Sequence, residues 1–140
     1  GAGLMTGAAD AEARYRAVLW RLEAYFASRT DVKNWKKLFL NGGCFWFAQF
    51  LHWRIRNSCL MINRAEEHCA LAFGEGLYDI TRQVSKYNFH PASEREIRFM
   101  KKNYIPRFDV KKLEQYLESS SLADTGFNVT VIYRKFHKKC

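Results

Sequence analysis

No apolar run in the sequence approaches the ~18 residues that a membrane-spanning helix requires, so a soluble globular chain without a membrane partner is expected. Residues 1–9 carry neither a basic start nor a long apolar stretch and are therefore not a signal peptide. A vector-derived tag or disordered leader is expected over 1–9, followed by one domain over 10–140. The cysteines at 44, 59, 69 and 140 contain no C-x-x-C pair. Free thiols in a reducing, cytoplasmic setting follow as the expectation. Cys44, Cys59, His68 and Cys69 match no common zinc-ligand spacing, so neither a metal nor a cofactor is expected. No internal repeat breaks the chain into units.

Hydrophobic residues form 48% of the chain and aromatics 16%, which excludes disorder and supplies a core without staples. The net charge of +9 implies attraction to something acidic: nucleic acid, an anionic polymer or an acidic protein face. The basic residues Lys101, Lys102, Arg107, Lys111, Lys112 and the tail from Arg134 to Lys139 concentrate this charge in the second half.

Along the chain, Asp10 is placed to cap an amphipathic helix with Tyr15, Val18, Leu19, Leu22, Tyr25 and Phe26 at three- and four-residue steps. Thr30-Asp31 caps a second, shorter helix with Trp35, Leu38 and Phe39 inward, stopped by Asn41-Gly42-Gly43. Residues 44–57 are apolar around most of their circumference, the pattern of a buried central helix in which His52 and Trp53 pack. Residues 59–63, 68–73 and 77–80 are short apolar or β-prone runs separated by polar and glycine turns, predicting three antiparallel strands. Residues 81–91 carry no assignable pattern. Ser93 and Glu96 form a capping box ahead of Ile97, Phe99 and Met100, with Pro106 closing that helix. Asp109 starts another helix with Val110, Leu113, Tyr116 and Leu117 on one face, and residues 127–136 have the composition of a strand. The fold class is α+β.

The functional reading centres on Asn41-Gly42-Gly43-Cys44-Phe45-Trp46-Phe47, a glycine turn delivering a thiol to a helix start. A helix over 44–57 carries the chain ~20 Å away, and a returning strand of ~3.3 Å per residue brings His68 back near Cys44. His68, Ala70 and Ala72 share one strand face. A two-residue turn at Gly74-Glu75, suited to type II′, places Asp79 opposite Ala70 and diagonal to His68. A turn at Phe73-Gly74 places His68 and Asp79 directly opposite, and a three-residue loop through Gly74-Glu75-Gly76 puts them on opposite faces.

A thiol is a poor nucleophile until its thiolate is stabilised, for which a helix N-terminus and a nearby imidazolium both serve. In that arrangement His68 moves the proton, Asp79 or one of Glu66 and Glu67 orients the imidazole, and the Cys44 N–H with the Asn41 amide donates to an oxyanion. Gly42 and Gly43 would let substrate backbone approach.

At these residues the chain resembles the papain-like superfamily of thiol peptidases and acyltransferases, in the order Cys44, His68, Asp79. The stretch His68-Cys-Ala-Leu-Ala-Phe-Gly-Glu-Gly-Leu-Tyr-Asp79 looks like the His-strand hairpin of NlpC-type cell-wall peptidases. Gly42-Gly43-Cys44 is similar to the turn near the thiol of arylamine N-acetyltransferases, and a Cys-His-Asp set resembles transglutaminase-like enzymes. The resemblance covers residues 41–81. It implies a papain-like core and a cysteine peptidase, amidase or acyltransferase cleaving a peptide or other amide, or an ester, through a thioester. The rival expectation is a basic binding protein without catalysis, holding nucleic acid or an acidic protein.

Overall fold

The computed structural model describes residues 7–29, 34–40 and 42–119. Helix α1, Gly7–Ala27, buries Ala11, Tyr15, Val18, Leu22 and Phe26, the stripe that the sequence spacing predicts. Asp10 lies inside this helix and pairs with Arg14 at 3.0 Å, so it is not the cap. Gly7 to Ala9, assigned to the leader by sequence, belong to the helix as well. A 3-10 turn, Trp35–Phe39, follows; Trp35 stacks on Phe26 with ring centroids 5.1 Å apart.

Helix α2, Cys44–His52, is buried at every position except the half-buried Trp46, as an apolar circumference requires. It stops at His52 and not near residue 57. Beyond it Arg54 and Ile55 both donate to the Leu51 carbonyl, Asn57 turns the chain at φ 57°, and Ser58 Oγ bridges the Ile55 carbonyl and His52 Nδ1. Nine helical residues rise about 13 Å, close to the span of the strand that returns beside them.

The sheet has five strands in the order β4-β3-β2-β1-β5, with every neighbouring pair antiparallel. They are β1 Cys59–Asn63, β2 His68–Phe73, β3 Gly76–Asp79, β4 Arg82–Val84 and β5 His90–Pro91. The strand expected at 77–80 thus sits one residue earlier. Strands β4 and β5 lie in the stretch that carries no sequence pattern: three and two residues are too few for alternation to register. Both are edges, where Pro91 costs no ladder bond that a neighbour needs. Helix α2 lies along β2, the central strand.

Helix α3, Glu94–Asn103, begins at the expected capping box, with Ser93 and Glu96 bonded reciprocally at 2.9 and 3.1 Å. It buries Met100 and packs Ile97 against the core, but Phe99 points outward, 57% exposed. The helix ends at Tyr104, two residues before Pro106. Helix α4, Val110–Glu118, is capped by Asp109, whose carboxylate accepts from the Lys112 N–H. It buries Leu113 and Leu117 and sets Tyr116 4.8 Å from Tyr25 of α1.

Cys44 and Cys69 are free and buried. Cys59 is disulfide-bonded, which corrects the expectation of free thiols at that position. No helix among the described residues is long and apolar enough to cross a membrane. The strand expected at 127–136, the tail at 134–139 and Asn41 lie outside the described residues.

Candidate functional site

The β2–β3 hairpin sets the geometry. Phe73 pairs with Gly76, so the loop is the two residues Gly74 and Glu75. Gly74 has φ 58°, whereas Glu75 stays out of the positive-φ region, the backbone of a type II′ turn. In this register Asp79 falls opposite Ala70 and diagonal to His68. Their side chains meet, with His68 Nε2 2.7 Å from Asp79 Oδ2.

Asp79 is held on every side. Its Oδ1 accepts from the Thr81 backbone N–H at 2.7 Å and the Thr81 hydroxyl at 2.5 Å, a local Asx-type turn. Its backbone carbonyl accepts from the Tyr15 hydroxyl at 2.5 Å, which ties α1 to the end of β3. A carboxylate fixed in this way can fix an imidazole in turn.

Cys44 is the first residue of α2, with Gly43 as its N-cap. The Cys44 thiol stands beside the His68 ring, close enough to act on its protonation. Since Asp79 takes Nε2, Nδ1 is the ring nitrogen left for the thiol. The Cys44, Phe45 and Trp46 N–H groups belong to the first turn, where no intrahelical carbonyl is available to them. Cys44 itself is buried at 2% exposure, beneath the more open His68.

The glycines do not serve as expected. A Cβ on Gly42, at φ 85°, would meet the Ile105 carbonyl oxygen at 2.3 Å, and one on Gly43 would meet the Leu38 carbonyl oxygen at 2.2 Å. Their bare faces are filled by the chain's own backbone, not left open to a substrate. They let the 3-10 turn and residues after α3 close around the start of α2. Glu66 and Glu67, weighed as orienting acids, do not hold the His68 ring, which Asp79 occupies.

The electrostatics follow from these contacts. Burial disfavours the imidazolium of His68, but the bonds with Asp79 and Cys44 and the charges beside it outweigh that, raising its pKa from 6.5 to about 9. Burial likewise works against the Asp79 carboxylate, and His68 and Thr81 more than offset it, holding its pKa below the usual value. The signs are opposite. The His68 contribution to stability is complete below pH 6.5 and is lost as pH rises through about 9. That of Asp79 is present above its ordinary value of 3.8 and is lost in more acidic solution. An NMR titration of the His68 ring is expected to show a midpoint near 9; a midpoint at or below 6.5 would mean that the three side chains are not coupled.

Burial, followed by the proximity of Cys44 and Cys69, raises the pKa of Tyr104 to about 12 and keeps the phenol a protonated donor near the thiol. Tyr104 is itself buried.

A cleft of about 550 Å³ opens beside His68 and Asp79, lined also by Leu40, Asn63, Glu66, Val84, Tyr87 and Phe89. The Phe89 ring meets the His68 ring edge-to-face at 6.1 Å. Sequence reasoning missed Asn63, Thr81, Tyr15 and Phe89. Asn63 was findable as the residue facing His68 across the β1–β2 turn, and Thr81 as the polar residue two after an Asp. Nothing local marks Tyr15 or Phe89. Among the described residues no three His, Cys, Asp or Glu side chains gather as metal ligands.

The molecule is therefore an α+β protein carrying a hydrogen-bonded His–Asp pair on an antiparallel hairpin beside a cysteine at a helix N-terminus. The model of the phage YunG-like protein family matches residues 18–118, and the chain belongs to that family. The matched span contains Cys44, His68 and Asp79. No curated protein and no solved structure matches the chain.

Proposed function

We propose that the protein is a thiol-dependent hydrolase or acyltransferase with a papain-like core, acting on an amide or ester through Cys44, His68 and Asp79. The observation that carries this reading is the placement of one imidazole between the thiol of a buried helix start and a fully anchored carboxylate. The Cys44 thiolate adds to the substrate carbonyl, and the Cys44 N–H supports the oxyanion. His68 then gives its proton to the departing amine or alcohol as the C–N or C–O bond breaks, leaving a thioester. An incoming water or amine loses a proton to His68, attacks the thioester and returns the thiol. Asp79 keeps the ring oriented throughout.

Alkylation by iodoacetamide at pH 6 is expected to mark Cys44 far faster than Cys69, and Cys44→Ala should remove the fast phase. Equal rates at the two thiols would sink the proposal.

A second reading has one observation of its own. Arg95, Arg98 and Lys102 stand exposed on α3 at helical spacing around the exposed Phe99, a face suited to an anionic polymer or an acidic protein. It is compatible with catalysis elsewhere.

A further inference from the structure

The two carboxylate oxygens of Asp79 have separate tasks. Oδ2 meets His68 Nε2 at 2.7 Å, while Oδ1 accepts both the Thr81 N–H at 2.7 Å and the Thr81 hydroxyl at 2.5 Å. Thr81 stands with Ile80 in the two-residue turn between Asp79 and Arg82, which pair across β3 and β4. The N–H bond by itself closes that turn in the Asx manner. The hydroxyl bond adds nothing to the path of the backbone, so its effect falls on the carboxylate. Thr81 is an exposed residue, yet its hydroxyl is given to an acid that is only 5% exposed. At 2.5 Å the bond has the length of a charge-assisted O–H···O⁻ contact, a stronger class than a neutral one. With both Thr81 bonds made, the carboxylate cannot rotate about its Cβ–Cγ bond without breaking them, and Oδ2 stays aimed at the imidazole. Burial works to raise the Asp79 pKa, and the bonds from His68 and Thr81 hold it below the ordinary value, so the acid that faces the ring is the ionised one.

We infer that Thr81 is a positioning residue of the site: its hydroxyl fixes the plane of the Asp79 carboxylate, which in turn fixes the His68 ring beside Cys44. The inference rests on the reading of Cys44 and His68 as the reacting pair. It adds to that pair and Asp79 a further functional side chain, which acts through the acid and restricts position 81 to a residue that carries a hydroxyl.

The test uses the full chain. Thr81→Val keeps the side-chain shape and the N–H bond but removes the hydroxyl, whereas Thr81→Ser keeps the hydroxyl. Alkylation of Cys44 by iodoacetamide at pH 6 is expected to be about fivefold slower in Thr81→Val, the scale of one hydrogen bond, and to be restored in Thr81→Ser. In an Asp79→Ala background the hydroxyl has no carboxylate to hold, and Thr81→Val should slow the reaction no further, the non-additivity of two residues acting along one path. A role in the turn alone would act alike in both backgrounds. The titration of the Asp79 carboxyl, followed by carbon NMR, reads the same bond without the thiol and decides the matter even where Asp79→Ala does not fold. Its midpoint should rise in Thr81→Val and stay low in Thr81→Ser. An unchanged alkylation rate in Thr81→Val, a loss that persists beside Asp79→Ala, or a carboxyl midpoint that does not move would each overturn the inference. With a fast Cys44 in the unaltered protein, any of these removes the role of Thr81 alone. A Cys44 no faster than Cys69 in the unaltered protein removes the catalytic reading, and the positioning role with it.

Discussion

His68→Ala is expected to slow the alkylation of Cys44 at pH 6 by about 10²-fold while leaving the slow labelling of Cys69 unchanged. A free thiol titrates near 8.5, so at pH 6 only ~0.3% of it is thiolate. An imidazolium beside a thiol supplies a counter-charge to the attacking sulfur, and His68 stays protonated because its pKa is raised to about 9. Removing the ring removes both the counter-charge and the group that accepts the proton. The size follows from what a positioned acid–base side chain contributes, typically about 10²–10⁴-fold. Asp79→Asn should produce a smaller fall, since His68 keeps its contact with Cys44 but loses the anchored carboxylate. The His68 ring in Asp79→Asn should also titrate at a lower pH than the value near 9 in the unaltered protein, because the bond with Asp79 is one of the causes that raise it. An unchanged Cys44 rate in His68→Ala would show that the thiol does not depend on the imidazole. A structural cysteine at a helix start would behave in that way.

Glu114→Ala should lower stability by about 3 kcal/mol, the cost of leaving a buried charge without its partner, and shift thermal unfolding by roughly 10 °C. Arg54 is 1% exposed, and its guanidinium meets Glu114 through two parallel bonds of 2.8 and 2.7 Å while also donating to the Phe50 carbonyl at 2.9 Å. The bridge joins the turn after α2 to α4 and thereby braces the far end of the helix that carries Cys44. Burial raises the Glu114 pKa, with Arg54 pulling the other way, so desolvation offsets much of the attraction. Replacing both partners with apolar residues, as in Arg54→Met with Glu114→Leu, is accordingly expected to recover most of the loss. Differential scanning calorimetry of the single and double variants checks both statements. A single variant as stable as the parent would mean that the guanidinium finds other partners or water.

The α-helical stripe of α1, the capping box at Ser93 and the Asp109 cap were legible because each depends on residues within one or two turns of one another. The helix start at Cys44 and the hairpin at Gly74 were legible for the same reason, and the hairpin turn carried the His68–Asp79 pair with it: once a two-residue loop is chosen, register follows from strand alternation. The length of α2 was not legible. Its end is set by Ser58, His52 and the Arg54–Glu114 bridge, the last of which spans a sequence separation of 60. Strands β4 and β5 escaped because edge strands of two or three residues are made by the neighbour they pair with, not by their own composition.

The role of Gly42 and Gly43 is the clearest case of tertiary structure reversing a local argument. Composition says only that backbone can come close; the Ile105 and Leu38 carbonyls decide that the chain's own backbone does so. In the same way the sequence determined by itself that a thiol would stand at the start of an apolar helix, with a histidine and an aspartate on one hairpin whose turn length left their faces open. It determined as well that the protein as a whole would be basic. Only the tertiary structure decided that His68 and Asp79 are bonded beside Cys44, and that Tyr15 and Thr81 anchor the acid. Contacts between distant segments depend on the packing of whole elements, and no spacing along the chain encodes which side chains that packing brings together.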